Sequence, residues 1–145
     1  MLFIDLDQKL SAQAGMSITS IFEHQGEARF RELESSTLIG LLSEATPTLV
    51  SVGGGALVND ANRAAARARA TVVWLQVSAS EAAQRVAGDS GRPLLAGHDV
   101  EERLGSLLQA REATYADSDF RVDTNGRSLS EIVDALCARL LKESP

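Results

Sequence analysis

Four short apolar runs, separated by stretches with helical spacing, constrain this chain more than any other feature. Leu2-Phe3-Ile4 ends at Asp5. Residues 48–52 read Thr-Leu-Val-Ser-Val and stop at three consecutive glycines. Residues 71–77 read Thr-Val-Val-Trp-Leu-Gln-Val, and residues 120–123 read Phe-Arg-Val-Asp. The third run is rich in β-branched side chains and barely alternates, which suits a central parallel strand covered on both faces. Parallel neighbours need a crossover, usually a helix, so strands alternating with helices predict an α/β fold with a largely parallel sheet. Ligands of such sheets bind beyond the carboxyl ends of the strands. The unusual residues fall there: Asp5 and Asp7 after the first run, and Gly53, Gly54 and Gly55 after the second.

The intervening stretches carry their own punctuation. A helix over residues 7–14 stops at Gly15, and Ser17 caps a short helix to Phe22. Gly26 opens a longer helix to about Ala45, with Phe30, Leu33, Leu38 and Leu41 on one face, before the break at Thr46-Pro47. Asn59 or Asp60 caps an Ala- and Arg-rich helix ending near Arg69, and Ser80 caps another to about Ala87. Residues 88–98 form an exposed loop with three Gly and Pro93, and residues 100–116 a helix. Ser128 caps a last helix whose apolar face is Leu129, Ile132, Val133, Leu136, Leu140 and Leu141. At 145 residues with no repeat or linker, a single domain is expected.

Composition removes several function classes. No run of about 18 apolar residues occurs, so no membrane span is expected, and Asp5 and Asp7 stand where a secretory signal would be basic and then apolar. Cys137 is the only cysteine, which leaves no intrachain disulfide or cysteine-based zinc site and fits a reducing cytoplasm. His24 and His98 have no metal-ligand partner at useful spacing, and no G-x-S-x-G element occurs. A net charge of −6 argues against non-specific nucleic-acid binding. Of the 14 basic residues only Lys9 and Lys142 are Lys; the rest are Arg, which suits bidentate recognition of carboxylate or phosphate, or follows from codon bias.

Six local constellations have chemical content beside a plainer reading. Asp5 and Asp7 can accept bonds from substrate hydroxyls or hold water on a divalent ion; equally, Asp7 can be a helix N-cap. Arg31 can clamp a carboxylate, or pair with Glu27 or Glu34 at helical spacing. Gly53, Gly54 and Gly55 permit positive φ and close approach of a ligand to the backbone, where a tight strand–helix connection seldom needs three. Arg92, flanked by Gly91 and Pro93, can close over phosphates or sit in an ordinary loop. Arg111 and Tyr115, one helical turn apart, can face a cleft together or stack on each other. Thr124, Asn125, Gly126 and Arg127 make at least a turn.

Taken in order, these pieces resemble shikimate kinase over essentially the whole chain. The resemblance rests on the D-x-D of Asp5 and Asp7, the G-E-x-x-F-R ending at Arg31, the triple Gly, the R-P-L-L of residues 92–95, the R-x-x-x-Y of Arg111 and Tyr115, and the V-D-T-N of residues 122–125. It implies a three-layer P-loop kinase-like fold, with a parallel sheet flanked by helices. The implied activity moves the γ-phosphate of ATP to the 3-hydroxyl of shikimate with Mg²⁺. Asp7 would hold the shikimate hydroxyls and act at or near the base. Arg31 and Arg111 would clamp the carboxylate, and Gly53, Gly54 and Gly55 would supply backbone contacts. Arg92, on a lid of residues 88–98, would reach the ATP phosphates, Arg127 would lie against the adenine, and Asp5 would hold Mg²⁺ through water. A cytoplasmic monomer acting on small molecules, without nucleic acid or membrane, is expected.

One departure accompanies the resemblance. The family begins with a strand, a G-x-x-x-x-G-K-[ST] loop and a helix, whereas Leu2-Phe3-Ile4 matches the second strand, and no Gly-Lys pair occurs in the chain. A start placed too late or a shortened chain is the expected reason, and residues 1–145 alone are expected to lack phosphoryl transfer. The alternatives are a non-catalytic shikimate-binding module and a related small-molecule kinase such as a gluconate kinase.

Overall fold

The computed structural model describes residues 1–87, 95 and 99–143, with side chains to 141. The expected lid apart from Leu95, including Gly91, Arg92, Pro93, Leu94 and His98, lies outside the described residues. The elements run β1 (Leu2–Asp5), α1 (Leu6–Ala14), α2 (Ile18–Leu42), β2 (Thr48–Ser51), a 3₁₀ turn (Ala56–Val58), α3 (Asp60–Arg69), β3 (Val73–Gln76), α4 (Ala79–Arg85), α5 (Val100–Ala116), β4 (Phe120–Asp123) and α6 (Leu129–Glu143). They form two compact units, one on residues 1–71 with residue 95, and the other on residues 72–87 and 99–143.

In the first unit β1 and β2 pair in parallel, with Leu2 opposite Thr48 and Asp5 opposite Ser51. Helices α1 and α2 make the crossover. Gly15 ends α1 in the left-handed region at φ 68°, where its N–H reaches the Ser11 carbonyl, and the Ser17 side chain accepts from Ser20 N to start α2. At Gly26 the torsions leave the helix (φ 81°, ψ 167°), so α2 is two helical segments that meet at a sharp break, as expected from the sequence. Two clusters fill the core. Leu6, Leu38, Leu41 and Ala56 form one, and Leu10, Ile21 and Phe30 the other, with Phe22 4.7 Å from Phe30 between ring centroids. Leu33, expected on the same face, packs at its margin.

In the second unit β3 and β4 pair in parallel, with Val73 opposite Phe120 and Gln76 opposite Asp123. Phe120 and Val122 are buried. β3 is not covered on both faces as expected: it pairs only with β4 among the described strands, and Leu75 is 51% exposed. Helix α4 is capped by Ser78 rather than Ser80, because the Ser78 side chain is the one that accepts from the third amide onward, Glu81 N. α5 has the expected bounds, with Asp99 as its N-cap. At α6 the Ser128 side chain accepts from Glu131 N while Glu131 Oε2 accepts from Ser128 N, a reciprocal cap. Only part of its expected apolar face is covered: Ile132, Leu136 and Leu140 are half-buried, whereas Leu129, Val133 and Leu141 are exposed.

Candidate active site

The register of β1 and β2 sets the carboxyl ends of both strands side by side, so the acidic pair and the glycine loop leave the sheet at one edge. Asp5, not Asp7, is the helix cap: its Oδ1 accepts from Gln8 N at 3.0 Å. Asp7 therefore sits in the first turn of α1, where its carboxylate also meets the positive end of the helix dipole, and its Oδ1 is buried.

None of the three glycines after β2 has positive φ; the left-handed glycines among the described residues are Gly15, Gly26 and Gly126. The expectation of unusual torsions is thus corrected. What requires glycine is a neighbour. A Cβ on Gly55 would lie 2.6 Å from Nη1 of Arg31, 2.7 Å from Nη2 and 2.9 Å from Cζ. Gly53 faces Glu34, whose Oε1 would stand 3.8 Å from an added Cβ. The glycine loop and the middle of α2 are therefore one wall of one site.

Arg31 makes both of the ion pairs that its spacing allowed. Nη1 donates to Glu34 Oε2 at 2.7 Å and Nη2 to Glu27 Oε1 at 3.3 Å. Its guanidinium lies 5.0 Å from the Phe30 ring centroid. Glu34 is buried, Glu27 exposed, so one pair fixes the side chain and the other is open to exchange with a solute carboxylate. The glycine wall is tied to α2 from beneath. Asn62, 1% exposed, donates from Nδ2 to the Ala56 carbonyl at 2.9 Å, and its Oδ1 accepts from Ser35 Oγ at 2.5 Å. Ala56 N in turn donates to the Gly53 carbonyl.

The second unit holds Arg111 and Tyr115 on α5. They do not form the Arg–Tyr stack considered from sequence. Tyr115 packs on Trp74 of β3 at 5.7 Å between centroids, and the cation–aromatic contact among the described residues is that of Arg31. Beyond β3 and β4 lies an open cleft lined by Ser78, Ser80, Glu81, Gln84, Arg85, Asn125 and Gly126. Its far wall is the expected turn: Thr124 is buried, Gly126 has φ 62°, and Arg127 N donates to the Thr124 carbonyl. Asp123 accepts from Asn125 N and Nδ2, and these bonds, with help from Arg127 and Arg121, hold its carboxyl below the usual carboxylate range.

Sequence reasoning named Asp5, Asp7, Arg31, the triple Gly, Arg111 and Arg127, and the structure brings Arg31 and the glycines together while Arg111 and Arg127 fall in the other unit. It gave Asn62 no role and passed over Glu81 and Arg85. The Glu-to-Arg spacing of the last two reads as an ordinary helix pair, and nothing local reveals their partner at Thr124. No group of three or more His, Cys, Asp or Glu suited to a metal occurs among the described residues.

Parallel βα units, with carboxylates, an anchored arginine and a glycine wall at the strand ends, define an α/β small-molecule kinase, a phosphotransferase. The chain belongs to the shikimate kinase family, whose model matches residues 1–141. It is 43% identical over 131 residues to the shikimate kinase of Geobacter sulfurreducens, covering 90% of this chain and 72% of that one. It is 41% identical over 139 residues to that of Xanthomonas campestris pv. campestris (strain 8004), covering 95% and 77%. The fold matches shikimate kinase from Acinetobacter baumannii in complex with shikimate at a TM-score of 0.91 and 29% identity, over 99% of this chain and 81% of that one. The enzyme from Aquifex aeolicus matches at 0.81 and 28%, over 97% and 81%. The function is phosphorylation of shikimate, with ATP as co-substrate, in aromatic amino-acid biosynthesis.

Proposed function

We propose that Asp7, Arg31 and Gly53, Gly54 and Gly55 hold shikimate for phosphorylation at its 3-hydroxyl, with Arg111 as second clamp on the carboxylate. The observation that carries this reading is the seat of the Arg31 guanidinium, which lies where the Gly55 side chain would be. A cation fixed against bare backbone offers a flat anion two donors on one side and peptide groups on the other. The shikimate carboxylate displaces exposed Glu27 from Nη2 while buried Glu34 keeps Nη1 in place. Asp7 orients the attacking hydroxyl and takes its proton at or near transfer.

Arg92, on the lid of residues 88–98, and Arg127 belong to the nucleotide, Arg127 against the adenine. Mg²⁺, when bound, would neutralise charge on the transferring phosphates. Asp5 is the residue of this chain suited to hold it through water, since capping of α1 occupies only Oδ1. The chain acts on small molecules as a cytoplasmic monomer, with no nucleic-acid or membrane partner. Residues 1–145 contain no Gly-Lys pair, which favours a second reading for this exact polypeptide: it binds shikimate without transferring phosphate.

Calorimetric titration of shikimate into the chain and its Arg111→Ala variant tests the clamp. Charge-assisted bonds of this type contribute about 1.5–3 kcal/mol each, so binding should weaken at least tenfold. Unchanged affinity would remove Arg111 from the site.

A further inference from the structure

We propose that Glu81 is a positioning residue for nucleotide binding, fixing the Arg85 guanidinium and the turn that carries Arg127 in a single geometry. The inference rests on the proposal that Arg127 lies against the nucleotide, which makes the cleft lined by the neighbouring Asn125 and Gly126 the nucleotide site.

One carboxylate serves two donors from different parts of the chain. Oε1 of Glu81 accepts from Arg85 Nη2, and Oε2 accepts from Gly126 N at 2.9 Å. Arg85 closes the ring: Nη2 donates to the Thr124 carbonyl at 2.7 Å and Nη1 to Thr124 Oγ1 at 3.1 Å. Thr124 is itself anchored, its N and Oγ1 both donating to the Gln76 carbonyl. On the other side Ser78 N donates to Asn125 Oδ1 at 2.8 Å. The turn is thus stitched to α4 at both ends, and Glu81 bonds both Arg85 and the Gly126 amide of the turn.

The chemistry of the two donors makes this more than an exposed ion pair. A guanidinium is planar, and bonds along its edges fix the plane of its face. The Arg85 side chain remains 41% exposed and lines the cleft. Gly126 has φ 62°, a backbone state held here by the bond from its N–H to Glu81, and Arg127 is the next residue. Loss of the carboxylate would leave Arg85 held by Thr124 alone and the Gly126 amide without its acceptor, loosening the geometry of both, yet leave the β3–β4 pairing intact.

The test is a ¹H–¹⁵N NMR titration of residues 1–145 with ADP, and separately with shikimate, for the unaltered chain, Glu81→Gln and Glu81→Asp. Gln keeps the length but faces two donors with one acceptor oxygen; Asp keeps the charge but lacks the reach. Both should bind ADP at least tenfold more weakly than the unaltered chain, with shikimate affinity unchanged and the Gly126 amide signal moved. Equal ADP affinity in the three chains overturns the inference. So does full retention by Glu81→Asp, since a nearby charge would then suffice, and so does equal weakening of both ligands, which marks a purely structural role. If ADP moves no amide of residues 78–85 or 124–127 in the unaltered chain, the nucleotide reading of the cleft fails and the inference with it.

Discussion

Nη1 of Arg31 lies 2.7 Å from Oε2 of Glu34, a carboxylate only 2% exposed three residues further along the same helix. Such i, i+3 pairs on a helix surface are weak. Here burial changes the account, because Glu34 has left water and needs a partner whether or not substrate is present.

Removing Arg31 should therefore destabilise the fold as well as the site. Arg31→Met is expected to lower stability by about 1.5–3 kcal/mol, since it strands a buried carboxylate. Adding Glu34→Gln should recover much of that loss, because the stranded charge goes with it. Urea unfolding midpoints at unchanged slope measure both steps. Strictly additive losses would show that the two side chains do not depend on each other.

Gly55→Ala separates binding from folding. The residue has φ −93°, which alanine adopts freely, so the backbone carries no strain. The added methyl instead displaces the end of Arg31, a flexible side chain. Shikimate affinity should fall by tenfold or more while the melting temperature moves by only a few degrees. A large loss of stability with normal affinity would place the demand for glycine in the loop itself.

Acid should loosen the second unit through Asp123. Its folded-state pKa is depressed, chiefly by the Asn125 amide and then its side chain. Such a group contributes stability above its unfolded pKa and loses it as pH falls through the lower folded value. Melting temperatures from about pH 5 to about pH 2 should fall less steeply in Asp123→Asn than in the unaltered chain, the unfolded carboxyl titrating near 3.9. Parallel curves would remove Asp123 from the acid response.

Residues 1–145 should show no ATP-dependent shikimate phosphorylation above background. Transfer depends on preorganised donors around the phosphates, and losing one such donor typically lowers rate by about 10²–10³. A coupled ADP-release assay should compare this chain with one extended by a strand, G-x-x-x-x-G-K-[ST] loop and helix. Equal rates would mean that another phosphate site exists.

Much of the scaffold was legible because its determinants are local. Gly15, Ser17, Asn59 and Ser128 cap or stop helices as their side chains dictate, and β4 and α5 have the expected bounds. Ser78 and Ser80 were indistinguishable as caps, since the Ser78 N–H is held by Asn125, 47 residues away. The triple Gly drew attention for the wrong reason: its cause is Arg31, a neighbour only in the folded chain. Glu27 and Glu34 were both legible as partners of Arg31, but which is buried depends on packing across α2. Exposed Leu75, Val133 and Leu141 departed from the expected burial because apolar spacing states which face is apolar, not what covers it.

The strand register bears on how the chain acquires its structure. Leu2 meets Thr48, and Val73 meets Phe120, more than forty residues on in each case. Neither ladder can begin until a long stretch of chain has been drawn in, and that entropic toll precedes the first inter-strand bond. In the first unit α1 and α2 shorten the intervening chain, so helix formation should come before strand zippering. Stopped-flow refolding should then show helical signal rising ahead of amide protection at Ile4 and Val50. The kink at Gly26 falls midway along that path, where a rigid straight helix would carry the chain away from its partner strand.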